Sequence, residues 1–191
     1  MKTRVLHCPT VVGGNPSQIS RVQNELGLDS CLITLKRNSF DYGVDKILLQ
    51  ERDNLLKVEL KRIFAILTIY WKFHIVHYNF GTSFASPLYP EKPGDRFFRR
   101  FFRKVYSLYT WTLQYLELCL VKGLGKPIFV HYQGDDARQG AYSLDEFKYS
   151  IASQVDHHYY NKSSDSFKRK CIERMSRFAD GIYALNPDLL H

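Results

Sequence analysis

Cysteine, glycine and proline are scarce in this chain of 191 residues, which carries 4, 11 and 7 of them. Cys8, Cys31, Cys119 and Cys171 are far apart and form no Cys-x-x-Cys pair, so neither a zinc site nor a disulfide framework is expected. A reducing, cytoplasmic setting is the simpler reading. Glycine and proline occur singly or in short turns, which excludes collagen-like and low-complexity chains. Long hydrophobic runs are missing too. The most apolar one, Ile63 to Trp71, lies between Arg62 and Lys72 and falls well short of the ~20 residues a spanning helix needs. Pro9 interrupts the start before an apolar leader can form, so no signal peptide is read there. Neither a Gly-x-Gly-x-x-Gly fingerprint nor a P-loop Lys-Ser/Thr is present, which disfavours a nicotinamide dehydrogenase, a nucleotide-sugar epimerase or a P-loop NTPase.

What remains is a core-forming chain, 45% hydrophobic and 24% charged, of a length that suits one domain. Lys and Arg outnumber Asp and Glu 27 to 19, and the net charge of +8 favours an anionic partner. Short, nearly unbroken apolar runs at Arg4–Cys8, Ser30–Leu35, Phe73–Tyr78, Ile128–Tyr132 and Gly181–Leu185 read as buried strands. Between them lie helical patterns. Asn15 and Pro16 fit an N-cap and first helical position, Ile19, Val22 and Leu26 share a face, and Gly27 ends that helix. Leu56, Leu60, Ile63, Leu67 and Tyr70 make Asn54 to Trp71 an amphipathic helix, Phe97 to Val121 is a long one, and Phe167, Cys171, Met175 and Phe178 mark another. Strands alternating with helices predict an α/β fold, a Rossmann-like parallel sheet with helices on both faces. Asn186 to Leu190 reads as a cap and first turn, from which a chain cut inside an element is expected.

In such sheets ligands gather at the carboxyl ends of the strands. Those ends carry Gly13, Gly14 and Asn15, then His77 and Asn79, then His131, Gln133, Gly134, Asp136 and Arg138. Alone, the glycine turn fits phosphate binding and plain packing equally well. The loop after His131 gathers two carboxylates, an arginine and a glycine, which suits a site, although Arg138 with Asp135 or Asp136 would also make an internal ion pair. His157 and His158 are adjacent and have no acidic or cysteine partner at ligand spacing, so they read as a solvated loop and no metal site is expected.

The run Phe97, Phe98, Arg99, Arg100, Phe101, Phe102, Arg103, Lys104 sets phenylalanines against cations on a helix. Two readings stay open: a core helix whose Phe face packs on the sheet, or a basic aromatic helix touching an anionic membrane surface. Nucleic acid is not expected as a partner, because the basic cluster is local and no RNP-like or zinc signature accompanies it.

Nearly the whole chain resembles the N-terminal, acceptor-side half of a GT-B-fold glycosyltransferase of the retaining family-4 type. The likeness rests on Gly13-Gly14-Asn15-Pro16, the strand Phe73 to His77, the loop Val130 to Arg138 and the stretch Ala179 to Pro187. The resemblance implies one Rossmann-like domain over residues 1–191, followed by a second domain that holds a nucleotide-sugar donor. It implies sugar transfer to a saccharide or lipid-linked acceptor in the cleft between them, at the inner face of the membrane and without a further cofactor. It places Gly13 and Gly14 at the donor phosphates or acceptor, and matches Gln133 to Arg138 with the family's His-Gly-x-Asp-x-Arg loop. Gln133 stands where that loop often has His, so the catalytic role falls on His131, two residues earlier, as a hydrogen-bonding contact to sugar. The family's paired glutamates of the donor domain have only a chance counterpart in Glu51 and Glu59, so the fragment alone is expected to be inactive. The reading from another class is a non-catalytic α/β module recruited to anionic membrane by the basic aromatic helix.

Overall fold

A computed structural model describes residues 2–88, 97–156 and 159–189. The five apolar runs become strands and a sixth, two-residue strand joins them: β1 Arg4–Cys8, β2 Asp29–Thr34, β3 Lys46–Ile47, β4 Ile75–Asn79, β5 Ile128–Tyr132 and β6 Gly181–Ala184. Five α-helices accompany them: α1 Asn15–Glu25, α2 Leu55–Thr68, α3 Phe97–Gly123, α4 Gly140–Glu146 and α5 Lys162–Ser176. Every strand pair is parallel, in the order β3-β2-β1-β4-β5-β6. This is a Rossmann-like α/β sheet, and strand order reverses between β1 and β4. His157 and His158 lie outside the described residues.

The register pairs His7 with His77 and Asn79 with His131, and alternation along each strand then sorts the two faces. Leu6, Cys8, Val76, Tyr78, Ile128 and Val130 point to one side, where Ala65, Ile66 and Ile69 of α2, Leu118 and Val121 of α3 and Met175 of α5 complete the core. His7, His77, His131 and Tyr183 point to the other side, which α1 covers.

α1 departs from its expected packing. Its cap is Gly14 in the left-handed conformation, one residue before the expected Asn15, and no side chain caps it. Val22 and Leu26 of the expected apolar face are exposed. The helix turns Ser20 and Gln23 inward, because the strands beneath offer Ser30 and His7: Ser30 Oγ donates to Ser20 Oγ at 3.0 Å and to Gln23, His7 meets Gln23, and the exposed Asn24 holds the Ser30 backbone from the rim. Gly27, at φ 90°, ends the helix as expected.

The outer helices depart further. Leu56, Leu60 and Leu67, expected to face the core, are exposed together with Phe64 and Trp71, while Ala65, Ile66, Ile69 and Tyr70 face the sheet. α3 has 27 residues, about 40 Å of helix, against about 17 Å for a five-residue strand. Its buried residues begin at Thr110, so the Phe/Arg-rich segment lies ahead of the part that packs on the sheet. Phe97, Phe98, Phe101 and Phe102 are 79%, 74%, 57% and 67% exposed, which overturns the reading in which they pack on the sheet.

Two carboxylates missed as structural groups hold this layer. Glu59 of α2 accepts from the hydroxyls of Tyr106 at 2.6 Å and Tyr109 at 2.9 Å and pairs with Arg62 at 2.7 Å. Glu117 of α3 is fully buried and accepts from Ser83 Oγ at 2.8 Å, Phe84 N at 3.1 Å, Ala85 N at 2.9 Å and the Tyr70 hydroxyl. It fixes the loop that leaves β4.

Candidate functional site at the carboxyl edge

Each of three neighbouring strands repeats two apolar residues and a histidine: Val5-Leu6-His7, Ile75-Val76-His77 and Phe129-Val130-His131. Parallel pairing brings the three rings together on the α1 side. The centroids of His7 and His77 are 4.7 Å apart and those of His77 and His131 5.9 Å. With Gln23 Oε1 accepting at 2.8 Å, His7 carries its proton on Nε2. Burial depresses the basicity of all three. His77 falls to about 3 through burial and then repulsion by His7 and His131; His131 is lowered by burial, and His7 by burial that Gln23 partly offsets. At neutral pH the row is uncharged. Among the described residues no group of three His, Cys, Asp or Glu is placed to hold a metal ion.

His77 and His131 stand at the polar end of a groove of about 530 Å³ on the sheet face, whose walls include Ile75, Phe129, Tyr183 and Leu185. None of the residues lining it is charged. Toward the carboxyl edge follow Asn79 and Gln133, both buried. His77 Nε2, His131 Nδ1 and both amide atoms of Asn79 and Gln133 have no hydrogen-bond partner among the described residues. Asn79 lies close enough to His7 to favour its protonation slightly, yet the geometry leaves its amide unbonded.

The glycine bend joins this group. Gly13 and Gly14 have φ of 67° and 73°, and a β-carbon on Gly13 would stand 4.0 Å from Gln133 Oε1. Tyr42, from the loop between β2 and β3, packs so closely on Gly14 that a β-carbon there would meet its ring at 2.9 Å. Phe80, next to Asn79, is left-handed at φ 58°, followed by Gly81 at 53°. An aromatic residue held there is strained, and such strain collects at functional sites.

Asp136 and Arg138 stand differently from Gln133. The Asp136 carboxylate turns back on its own loop, accepting from Gly134 N at 2.7 Å and Gln133 N at 3.1 Å, and burial raises it to about 6. Arg138 donates to Asp188 at 2.6 Å and Asp135 at 3.2 Å, and Asp135 also accepts from Tyr159 and Tyr160. The arginine is thus engaged in pinning the loop, with its guanidinium drawn into ion pairs. Gly134 supplies both the N–H for Asp136 and the carbonyl that turns the chain to Arg138. Asn15 flanks the bend, its Nδ2 3.5 Å from a β-carbon on Gly13. His7, Phe80, Tyr42 and Tyr183 enter the site unforeseen. The repeated apolar-apolar-His pattern would have found His7, whereas nothing in the sequence signals Tyr42.

No family model and no curated protein matches this chain. Among solved structures it is similar to a conserved protein from Enterococcus faecalis V583. The two are 10% identical, the match covers 100% of this chain and 96% of that one, and the TM-score is 0.37. That likeness brings neither a family nor a function.

Proposed function

We propose that this chain is the acceptor-side domain of a glycosyltransferase, binding a saccharide or the sugar of a lipid-linked acceptor at the carboxyl edge. The observation that carries the reading is the set of buried, unbonded and uncharged polar atoms on His77, Asn79, His131 and Gln133. A buried polar atom without a partner costs roughly 1–3 kcal/mol, a cost that a ligand able to donate and accept in turn would offset. Neighbouring sugar hydroxyls do both. A free phosphate fits the groove poorly, since its lining is uncharged and Arg138 is occupied. Phe129 and Tyr183 offer apolar surface to the C–H face of a sugar ring. The uncapped first turn of α1, with the Gly13–Gly14 bend, suits the anionic part of a nucleotide sugar held by a second domain across the crevice. His131 acts as a hydrogen-bonding contact, because a depressed imidazole is a poor base.

The test is a titration of the chain with neutral mono- and disaccharides, followed through the amide resonances of residues 77–81 and 131–134. Saturable shifts that vanish in Gln133→Leu support the reading; shifts caused by inorganic phosphate and by no saccharide would sink it. A second reading, a module recruited to anionic membrane, draws on the exposed stripe Leu56, Leu60, Phe64, Leu67 and Trp71 beside the Phe-rich start of α3. Two amphipathic helices with outward apolar stripes suit a headgroup zone. No described helix is long and apolar enough to cross a membrane. Flotation with anionic vesicles tests this reading, and protein that stays at the bottom at low salt would refute it.

A further inference from the structure

The outer face of α3 meets α5 along a cleft of about 650 Å³, on the far side of α3 from α2 and separate from the carboxyl-edge groove. Its α5 wall carries Lys170, Arg174 and Arg177, spaced four and three residues apart and therefore on one helix face. Glu173 is the one carboxylate in the lining. Among the described residues none of these three cations forms an ion pair with a carboxylate, whereas Arg62, Arg138 and Lys122 do. The Arg174 guanidinium carbon lies over the Trp111 ring, 4.0 Å from its centroid, and the arginine donates to the Trp111 carbonyl, while Phe167 meets the same indole edge-on at 6.0 Å. The guanidinium is thus half-buried and anchored on Trp111, with two further cations beside it. Burial, and after it the neighbouring Arg177, make its charged form less favourable. Three like charges on one helix face repel one another, and the hydroxyls of Ser163 and Ser166 add donors to the same cleft.

We propose that the α3–α5 cleft is a phosphate-binding site, in which Arg174, Lys170 and Arg177 take a phosphate group and Trp111 forms the wall behind it. Planar guanidinium suits phosphate oxygens, and ammonium adds a point charge. The phosphate belongs either to a lipid headgroup or to a soluble metabolite, and the experiment separates the two. The proposal does not depend on the saccharide reading, since it shares no residue with that site.

Trp111 reports occupancy once the chain's other tryptophan is removed by Trp71→Phe, a change at an exposed position. Its fluorescence is followed during titration with inorganic phosphate, with glycerol 3-phosphate and with phosphatidylcholine vesicles containing phosphatidate. A saturable change that weakens with added salt is expected with at least one probe. A response to vesicles alone assigns a lipid headgroup; a response to either small probe assigns a soluble phosphate. Lys170→Glu with Arg177→Glu, both exposed and outside the core, should weaken binding about tenfold or more, as should Arg174→Gln, while Lys46→Glu on β3 should leave it unchanged. No saturable change with any of the three probes, unaltered binding in the Lys170/Arg177 variant, or an equal loss in Lys46→Glu would overturn the site.

Discussion

Replacing His77 with glutamine tests the electrostatics of the histidine row. His77 is buried between His7 and His131, and its basicity falls from the ordinary 6.5 to about 3. The folded chain therefore leaves this imidazole neutral over a range in which the unfolded chain protonates it. Stability from this group is fully present above about pH 6.5 and is lost as the pH falls toward 3. At about pH 5 the unfolded chain gains about 2 kcal/mol from the proton, while near pH 7.5 it gains almost nothing. Asp136 runs the other way: its folded value, about 6, lies above the ordinary 3.8, so it adds stability as the pH falls through 6. Wild type and His77→Gln share Asp136, His7 and His131, so subtracting their urea-unfolding free energies isolates His77. The glutamine variant should gain about 2 kcal/mol on wild type between pH 7.5 and pH 5. A difference that stays constant across that range would refute the claim that His77 is held neutral.

Other substitutions probe separate parts of the structure. Leu60→Glu with Phe64→Glu, at positions 59% and 69% exposed, should change the urea midpoint little, by about 0.5 kcal/mol or less each, yet abolish vesicle flotation if the outer layer meets a bilayer. Glu117→Leu removes the acceptor shared by Ser83, Phe84 and Ala85 and should cost about 3 kcal/mol or more in urea unfolding; a smaller loss would mean that the loop has other anchors. Gly14→Ala forces a side chain into left-handed backbone against Tyr42 and should cost about 1–3 kcal/mol, measured by thermal unfolding. Asn79→Leu removes two unbonded amide atoms, so it should leave stability level or raised while abolishing saccharide-induced shifts; marked destabilisation would show the amide to be satisfied in the free protein.

The sheet was legible because a parallel strand buried on both faces needs an unbroken apolar run, and five such runs stand out from the helices between them. The two-residue β3 and the seven-residue α4 escaped notice, being too short for any period to show. Period also located α1 and α2 but could not say which face would turn inward. Leu56, Leu60 and Leu67 form the more hydrophobic stripe of α2, yet the sheet took Ala65, Ile66 and Ile69. The aromatic side chains of α3 mislead in the same way, because apolarity shows that a face prefers to leave water and not what it meets. At the carboxyl edge, strand ends brought His77, Asn79, His131 and Gln133 together as their positions required. Arg138 and Asp136 were drawn into local bonds that depend on Asp188 and on backbone N–H groups, and residue spacing does not show where those lie.

The placement of the two unusual surfaces gives them a common direction. Parallel strands with helical crossovers send every helix back from the carboxyl edge, so α2 and α3 both begin where the histidine row ends. The first turns of α3, with Phe97 to Phe102 exposed, extend past the last residues that pack on the sheet. An acceptor sugar held at Asn79 and Gln133, as proposed above, would thus sit at the same end of the molecule as the exposed phenylalanines of α3. A free saccharide gains nothing from that proximity. A sugar carried on a lipid does, since its apolar tail could stay in the bilayer beneath α2 and α3 while the ring reaches the crevice. If the proposed acceptor reading holds, the arrangement predicts tighter binding of a lipid-linked sugar than of the same sugar free, and comparing the two, in vesicles and in solution, measures the preference directly; equal binding of both would refute this step.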